Sequence, residues 1–250
     1  MTPMNPTAAE AYTAQQRFIG VITPSGNTVV ERITLGILRD LPQVSAHFSR
    51  TPVFGSSDPF PNSYQHDGPL AAAALLAHMQ PEVILWNGSK GATIGIAHDA
   101  ALAEAITTAT DIQATTSILG LKTVLAARGI TRIAIVTPFK EAAQQATLDC
   151  LTRENYECVS EAHSSHSDNL SYASIPLPQI ADMMRSVAAA RPQAILSLCT
   201  NFPGAVVAAP MEAELGIPVF DNTALGVWAA LNAIGIDMRA AAPRWGSLFA

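Results

Sequence analysis

The chain alternates short, continuously apolar runs with longer stretches rich in alanine and leucine. The short runs are Phe18-Ile19-Gly20-Val21-Ile22, Val83-Ile84-Leu85-Trp86, Ile133-Ala134-Ile135-Val136 and Ala194-Ile195-Leu196-Ser197-Leu198, each followed by polar residues, glycine or proline. Short apolar runs of this kind, without polar alternation, suit parallel strands buried on both faces. Between them, Leu70 to Met79, Ala100 to Thr108, Glu141 to Thr152 and Ile180 to Ala190 are long enough for helices. Strands alternating with helices predict βαβ units around parallel sheet. Met1 to Gln16, rich in Ala, Thr and Gln, carries no such pattern and reads as a loose leader with a helical tendency near its end.

The same motifs occur twice, in the same order. Gly20-Val21-Ile22-Thr23-Pro24 resembles Ala134-Ile135-Val136-Thr137-Pro138, Pro81-Glu82-Val83-Ile84-Leu85 resembles Pro192-Gln193-Ala194-Ile195-Leu196, and Leu125-Ala126-Ala127-Arg128-Gly129-Ile130 resembles Leu231-Asn232-Ala233-Ile234-Gly235-Ile236. The offsets of 114, 111 and 106 residues drift slowly, as a duplication with small loop changes requires. The expected fold is therefore an α/β chain of two parallel-sheet halves about a pseudo-two-fold axis, with the active site in the cleft between them. The leader spans 1–16, the first half 17–130 and the second half 131–225; a C-terminal helix and tail, 226–250, return toward the first half. Ligands in open parallel sheets bind beyond the carboxyl ends of the strands. That puts Thr23 to Thr28, Asn87 to Gly91, Thr137 to Lys140 and Leu198 to Asn201 at the cleft.

Composition narrows the function. Hydrophobic residues make up 49% and charged residues 14%, which excludes a mainly disordered chain. A net charge of −6 argues against a nucleic-acid or membrane-surface partner, which needs a basic face. No apolar run approaches the roughly 18 residues that span a bilayer, and the first residues lack the basic start and apolar core of a secretory signal. Three cysteines make no disulfide framework, so the expected compartment is the reducing cytoplasm. Neither CxxC nor HExxH appears, and no glycine-rich nucleotide fingerprint, so no metal or other cofactor is expected. The polar run from His163 to Asn169 reads as a solvated loop.

The offset of 111 pairs Gly88 with Cys199, Ser89 with Thr200 and Lys90 with Asn201. One half brings a thiol to the cleft where the other brings a glycine. Two facing acid–base groups can protonate a planar carbon from either side; a single group works from one. Gly88 and Cys199 are thus the catalytic positions, and Ser25, Asn27, Ser89 and Thr200 are candidate anion donors. Asn27 also suits the cap of the following helix, where Thr28 competes; the two roles are compatible, because a helix N-terminus attracts anions. Lys90 reads as a partner for a substrate carboxylate or as a solvated lysine, and Thr137 as a donor or as a local strand-end hydrogen bond. Cys150 and Cys158 read as small buried hydrophobes, which is also the alternative for Cys199. Trp86 reads as core.

Thr23-Pro24-Ser25-Gly26-Asn27-Thr28, Asn87-Gly88-Ser89-Lys90-Gly91, Val136-Thr137-Pro138-Phe139 and Leu198-Cys199-Thr200-Asn201 resemble the aspartate/glutamate racemase superfamily. The resemblance runs from about Arg17 to Leu248, including the Trp245-Gly246-Ser247-Leu248 ending, and points to the branch holding maleate cis–trans isomerase and arylmalonate decarboxylase. It implies that two-thiol members carry cysteines at the positions of Gly88 and Cys199, and that a glycine with a single thiol is the decarboxylase arrangement. There, one carboxylate is lost in an apolar pocket, donors hold the enediolate, and the thiol delivers a proton to one face. Phe139 stands where many relatives have tyrosine, and Lys90 where a small hydroxyl residue is usual. The resemblance implies that Asn169 matches an asparagine that binds the second carboxylate in the isomerases. With Asn201, these residues complete the implied substrate site. The resemblance implies a dimer or higher homo-oligomer. The leading function is a cofactor-independent decarboxylase of a malonate-like dicarboxylate. A maleate isomerase or racemase with a modified second position, and a non-catalytic carboxylate-binding protein, stand as alternatives.

Overall fold

The computed structural model describes residues 16–55, 62–166 and 168–250. The leader up to residue 15, and Ser167 within the polar run, lie outside the described residues. Among the described residues, eight strands in parallel pairing form two sheets. The first holds β1 (Arg17–Pro24), β2 (Val44–Thr51), β3 (Val83–Trp86) and β4 (Ala114–Thr116) in the order β2-β1-β3-β4. The second holds β5 (Arg132–Thr137), β6 (Glu157–His163), β7 (Ala194–Ser197) and β8 (Val219–Asp221) in the matching order β6-β5-β7-β8. The repeated motifs fall on equivalent strands, β1 with β5 and β3 with β7.

Helices α1 (Val30–Leu38), α2 (Asp67–Ala77), α3 (Gly91–Ile94), α4 (Ile96–Thr110) and α5 (Ser117–Ala127) belong to the first half. Helices α6 (Glu141–Arg153), α7 (Asn169–Tyr172), α8 (Leu177–Ala188), α9 (Ala205–Leu215), α10 (Asn222–Ala233) and α11 (Ala242–Trp245) follow. The third repeated motif is a helix end. Gly129 and Gly235 take φ of 62° and 70°, and the next N–H turns back, Ile130 to the Leu125 carbonyl at 2.9 Å and Ile236 to that of Leu231 at 3.0 Å. Such reversals satisfy the last carbonyls of a helix and favour glycine.

Alternation along the strands divides the core. Ile19, Val21, Val83 and Leu85 join Ile133, Ile135, Ala194 and Leu196 in one apolar layer shared by both halves. Ile22, Ile84 and Trp86 face a separate cluster in the first half, and Ala134, Val136, Ile195 and Cys199 face its counterpart in the second. Helices α5 and α10 pack across the shared layer. They approach so closely that a Cβ on Gly120 would stand 2.8 Å from the Leu225 carbonyl oxygen. The tail returns to the first half: Arg128 donates to the Ser247 carbonyl at 2.6 Å, and Leu248 and Phe249 enter the shared core.

The polar run does not begin as a loop. His163 is the last residue of β6, paired with Thr137, and its ring meets Glu161 and Glu141. An edge strand needs no continuous apolar run, which is why this one reads as solvent-facing. No helix among the described residues is long and apolar enough to cross a membrane.

Candidate active site

The loops after β1, β3 and β7 are bound to one another across the two halves. Asn27 Nδ2 donates to Thr200 Oγ1 at 3.2 Å, and the Thr28 N–H donates to Asn201 Oδ1 at 2.9 Å. Asn201 Nδ2 donates onward to the Asn169 carbonyl. A second set of bonds runs through the starts of α5 and α10. Ser117 Oγ donates to the Gly88 carbonyl at 2.7 Å and accepts from Asn222 Nδ2 at 2.9 Å. Thr223 Oγ1 donates to the Thr200 carbonyl at 3.1 Å, and Asn87 Nδ2 donates to the Thr223 carbonyl at 3.2 Å. The Gly88 and Thr200 loops are thus held by one polar network, nearly all of it buried. Bonds of this kind are directional, and breaking one strands a buried partner.

Cys199 follows β7 and is 4% exposed, in the apolar cluster with Val136, Ile175, Met184 and Phe202. Burial pushes its thiol up to about 12; the N–H groups of Asn201 and Phe202 oppose the rise in part, and the charge of Asp221 adds to it. The thiol is therefore protonated at neutral pH.

The other expected site residues divide by what their polar atoms already do. Asn27 fills the helix-entry role: its Oδ1 accepts the N–H groups of Val29 and Val30 at 2.8 Å, while its amide nitrogen donates to Thr200. Thr200 accepts from Asn27, which leaves its own hydroxyl proton to donate. Ser25 accepts the Val53 N–H at 3.1 Å and so binds the end of β1 to the segment after β2. Thr137 brings no free donor, because its hydroxyl donates to Gln144 at 2.6 Å and accepts the Phe139 N–H at 3.2 Å. The local strand-end role replaces the expected one. Asn201 is a strut, with both ends of its amide engaged. Phe139 stacks edge-on against Tyr172, ring centroids 6.0 Å apart. Asn169 opens α7, and its N–H reaches the Gly55 carbonyl at 3.3 Å. Ser89 and Lys90 are half-buried in the turn from β3 into α3.

Sequence reading missed three groups. Asp221 ends β8 and caps α10, accepting the Thr223 and Ala224 N–H groups. The Asp-Asn-Thr triplet ahead of an apolar helical run is a recognisable cap signal. Tyr64 and Asp99 lie behind α3, the Tyr64 hydroxyl accepting the Gly91 N–H at 3.0 Å and donating to Asp99 at 3.2 Å. Their separation along the chain hides them. A cavity of about 470 Å³ lies between α1 and the α7–α9 region, lined by Thr28, Arg32, Ile175, Leu177 and Pro203 among others, with neither Gly88 nor Cys199 on its wall.

Burial pushes Asp221 up to about 7, against the pull of the N–H groups of Ala224 and Thr223, the Ser197 hydroxyl and the Ala205 N–H; Asp99 rises to about 7 for the same first cause. In the unfolded chain an aspartate titrates near about 3.9. The native state therefore holds extra protons between the two values, so this contribution to stability is complete below about pH 4 and is lost as pH rises through about 7. Asp221→Asn, which keeps the Oδ1 cap, is expected to flatten that decline. Thermal unfolding of wild type and variant from pH 4 to 8 measures it; identical slopes would contradict the assignment.

The sequence model of the arylmalonate decarboxylase family matches residues 70–249. Among solved structures, maleate isomerase from Pseudomonas putida superposes with a TM-score of 0.85 at 22% identity, covering 93% of this chain and 98% of the other. A Nocardia farcinica maleate cis–trans isomerase, a cysteine-to-serine mutant with a covalently bound succinylcysteine intermediate, gives 0.82 at 22% identity, covering 93% and 98%. An arylmalonate decarboxylase gives 0.76 at 21% identity, again covering 93% and 98%. No curated protein matches the sequence. The likeness to these structures shows a shared fold, and with the family match over most of its length the chain belongs to the arylmalonate decarboxylase family.

Proposed function

We propose that this chain is a cofactor-independent decarboxylase of a malonate-like dicarboxylate, with Cys199 as its single proton donor. The observation that carries the reading is the pairing of a buried, protonated thiol at Cys199 with a glycine at the equivalent position, 88, on loops held by one polar network. Breaking the bond between the central carbon and one carboxylate releases carbon dioxide and leaves the electron pair on an enediolate. The Thr200 hydroxyl, the second hydrogen of the Asn27 amide and Ser89 are the donors assigned to it; removing one such donor typically costs about 2.7–4 kcal/mol of barrier. The Cys199 S–H then delivers its proton to that carbon. The thiolate left behind meets the N–H groups of Asn201 and Phe202 and regains a proton from water. Apolar walls from Phe139, Phe202 and the cluster around them favour a step that disperses charge. The thiol chemistry and the three free cysteines fit a reducing compartment, which we take to be the cytoplasm.

The test is carbon dioxide release from aryl, alkenyl and alkyl malonates. Release from at least one class is expected, and none from any would remove the reading. The second reading is a maleate-type isomerase, favoured by the half-buried Lys90 beside Gly88 as a substitute for a second thiol. Conversion of maleate without carbon dioxide release would establish it.

A further inference from the structure

β3 ends at Trp86 and β7 at Ser197, and where the chain runs on extended past a strand end, residues two apart point to the same face. Trp86 and position 88 therefore compete for one space, and so do Ser197 and Cys199 at the equivalent places in the second half. The structure shows how each competition is resolved. A Cβ built on Gly88 would stand 2.4 Å from Cε2 and Cζ2 of the Trp86 indole and 2.7 Å from its Nε1, well inside van der Waals contact. The ring has little room to retreat. It is 1% exposed, lies edge-on to Tyr64 at a centroid distance of 6.0 Å, and is packed among Ile22, Leu76, Leu102 and Ile106. In the second half the position two before the thiol is Ser197, small enough to leave room for the Cys199 side chain, and its hydroxyl turns to Asp221 at 3.3 Å.

We infer that Trp86 is a specificity-determining residue: its indole fills the side-chain volume of position 88, and so closes the first half to a second acid–base group. The pairs Trp86–Gly88 and Ser197–Cys199 are reciprocal, large with none and small with thiol. Glycine at 88 is then a packing consequence of Trp86, and the one-sidedness of the site depends on both residues. This inference rests on the proposed reading only where it concerns stereochemistry; the steric part stands alone.

The experiment has two readouts. The first is a double-mutant cycle on the unfolding midpoint, with Gly88→Ala and Trp86→Leu singly and together. Gly88→Ala is expected to lower the midpoint by on the order of 5 °C or more, the cost of overpacking in a chain of this size. In the Trp86→Leu background it should cost less than about half of that. Additive effects, or a Gly88→Ala protein as stable as wild type, overturn the proposal. The second readout copies the second half into the first, with Gly88→Cys tested alone and combined with Trp86→Ser. A single-enantiomer product is incubated in alkaline deuterated water, where the fraction of one thiol ionised by hydroxide removes the α-proton and the opposite, deuterated thiol returns a deuteron. Exchange with loss of optical purity is expected of the double variant and not of Gly88→Cys alone. Racemisation by Gly88→Cys alone overturns the role of Trp86. If no malonate is turned over by wild type, the functional reading fails while the unfolding cycle still decides the packing claim.

Discussion

Cys199→Ser is expected to lower kcat for decarboxylation by about 10²–10⁴-fold, the usual worth of a positioned general acid. Serine keeps the size and place of the side chain, and its hydroxyl is a far weaker acid than a thiol. KM should change little, since the groups assigned to the carboxylates lie on Asn27, Ser89 and Thr200. The pH profile makes the same argument separately. An exposed thiol ionises near about 8.5, whereas burial pushes Cys199 up to about 12. The wild-type kcat should therefore show no loss from thiol ionisation between about pH 7 and 9.5. Steady-state kinetics of both proteins checks both statements. A variant within tenfold of wild type, or an alkaline limb near pH 8.5 that disappears in Cys199→Ser, would contradict them.

Asn201→Ala is expected to cause the largest loss of stability among single changes at the site. Its amide accepts the Thr28 N–H at the entry to α1 and donates to the Asn169 carbonyl at α7, and it is completely buried. Alanine leaves both backbone groups without that partner, at roughly 1–3 kcal/mol each. For a chain of this length that corresponds to a fall in unfolding midpoint on the order of 10 °C. Because the strut joins the two halves, amide exchange should quicken at the first turn of α1 and in α7 ahead of the sheets. A midpoint within about 2 °C of wild type would contradict the assignment of Asn201 as a strut between the halves.

The parts of the fold legible in the sequence are those whose burial leaves a pattern. β1, β3, β5 and β7 are covered on both faces and read as continuous apolar runs. β2 and β6 are edges: Val44-Ser45-Ala46-His47-Phe48-Ser49-Arg50-Thr51 is half exposed, and nothing in its composition separates it from a loop. β4 and β8 are three residues long and end on the caps of α5 and α10, too short for any periodicity. The repeat supplies what periodicity lacks, since the offset of 111 residues alone places Gly88 and Cys199 at equivalent strand ends.

At the site, sequence position alone reveals which loops meet and not which hydrogen each polar atom has left. Thr137 stands at a strand end like the other donors, but Gln144, one turn into α6, takes its hydroxyl proton. Asn201 looks like a ligand until both ends of its amide are seen to join the halves. The Trp86–Gly88 pair is a steric statement, an aromatic at a strand end two residues before a glycine.

Decarboxylation of an unsymmetrically substituted malonate in deuterated water tests the central claim most directly. A single thiol on one side predicts one deuterium at the α-carbon and one enantiomer of the product from the wild-type protein. A racemic deuterated product would contradict one-sided protonation by Cys199.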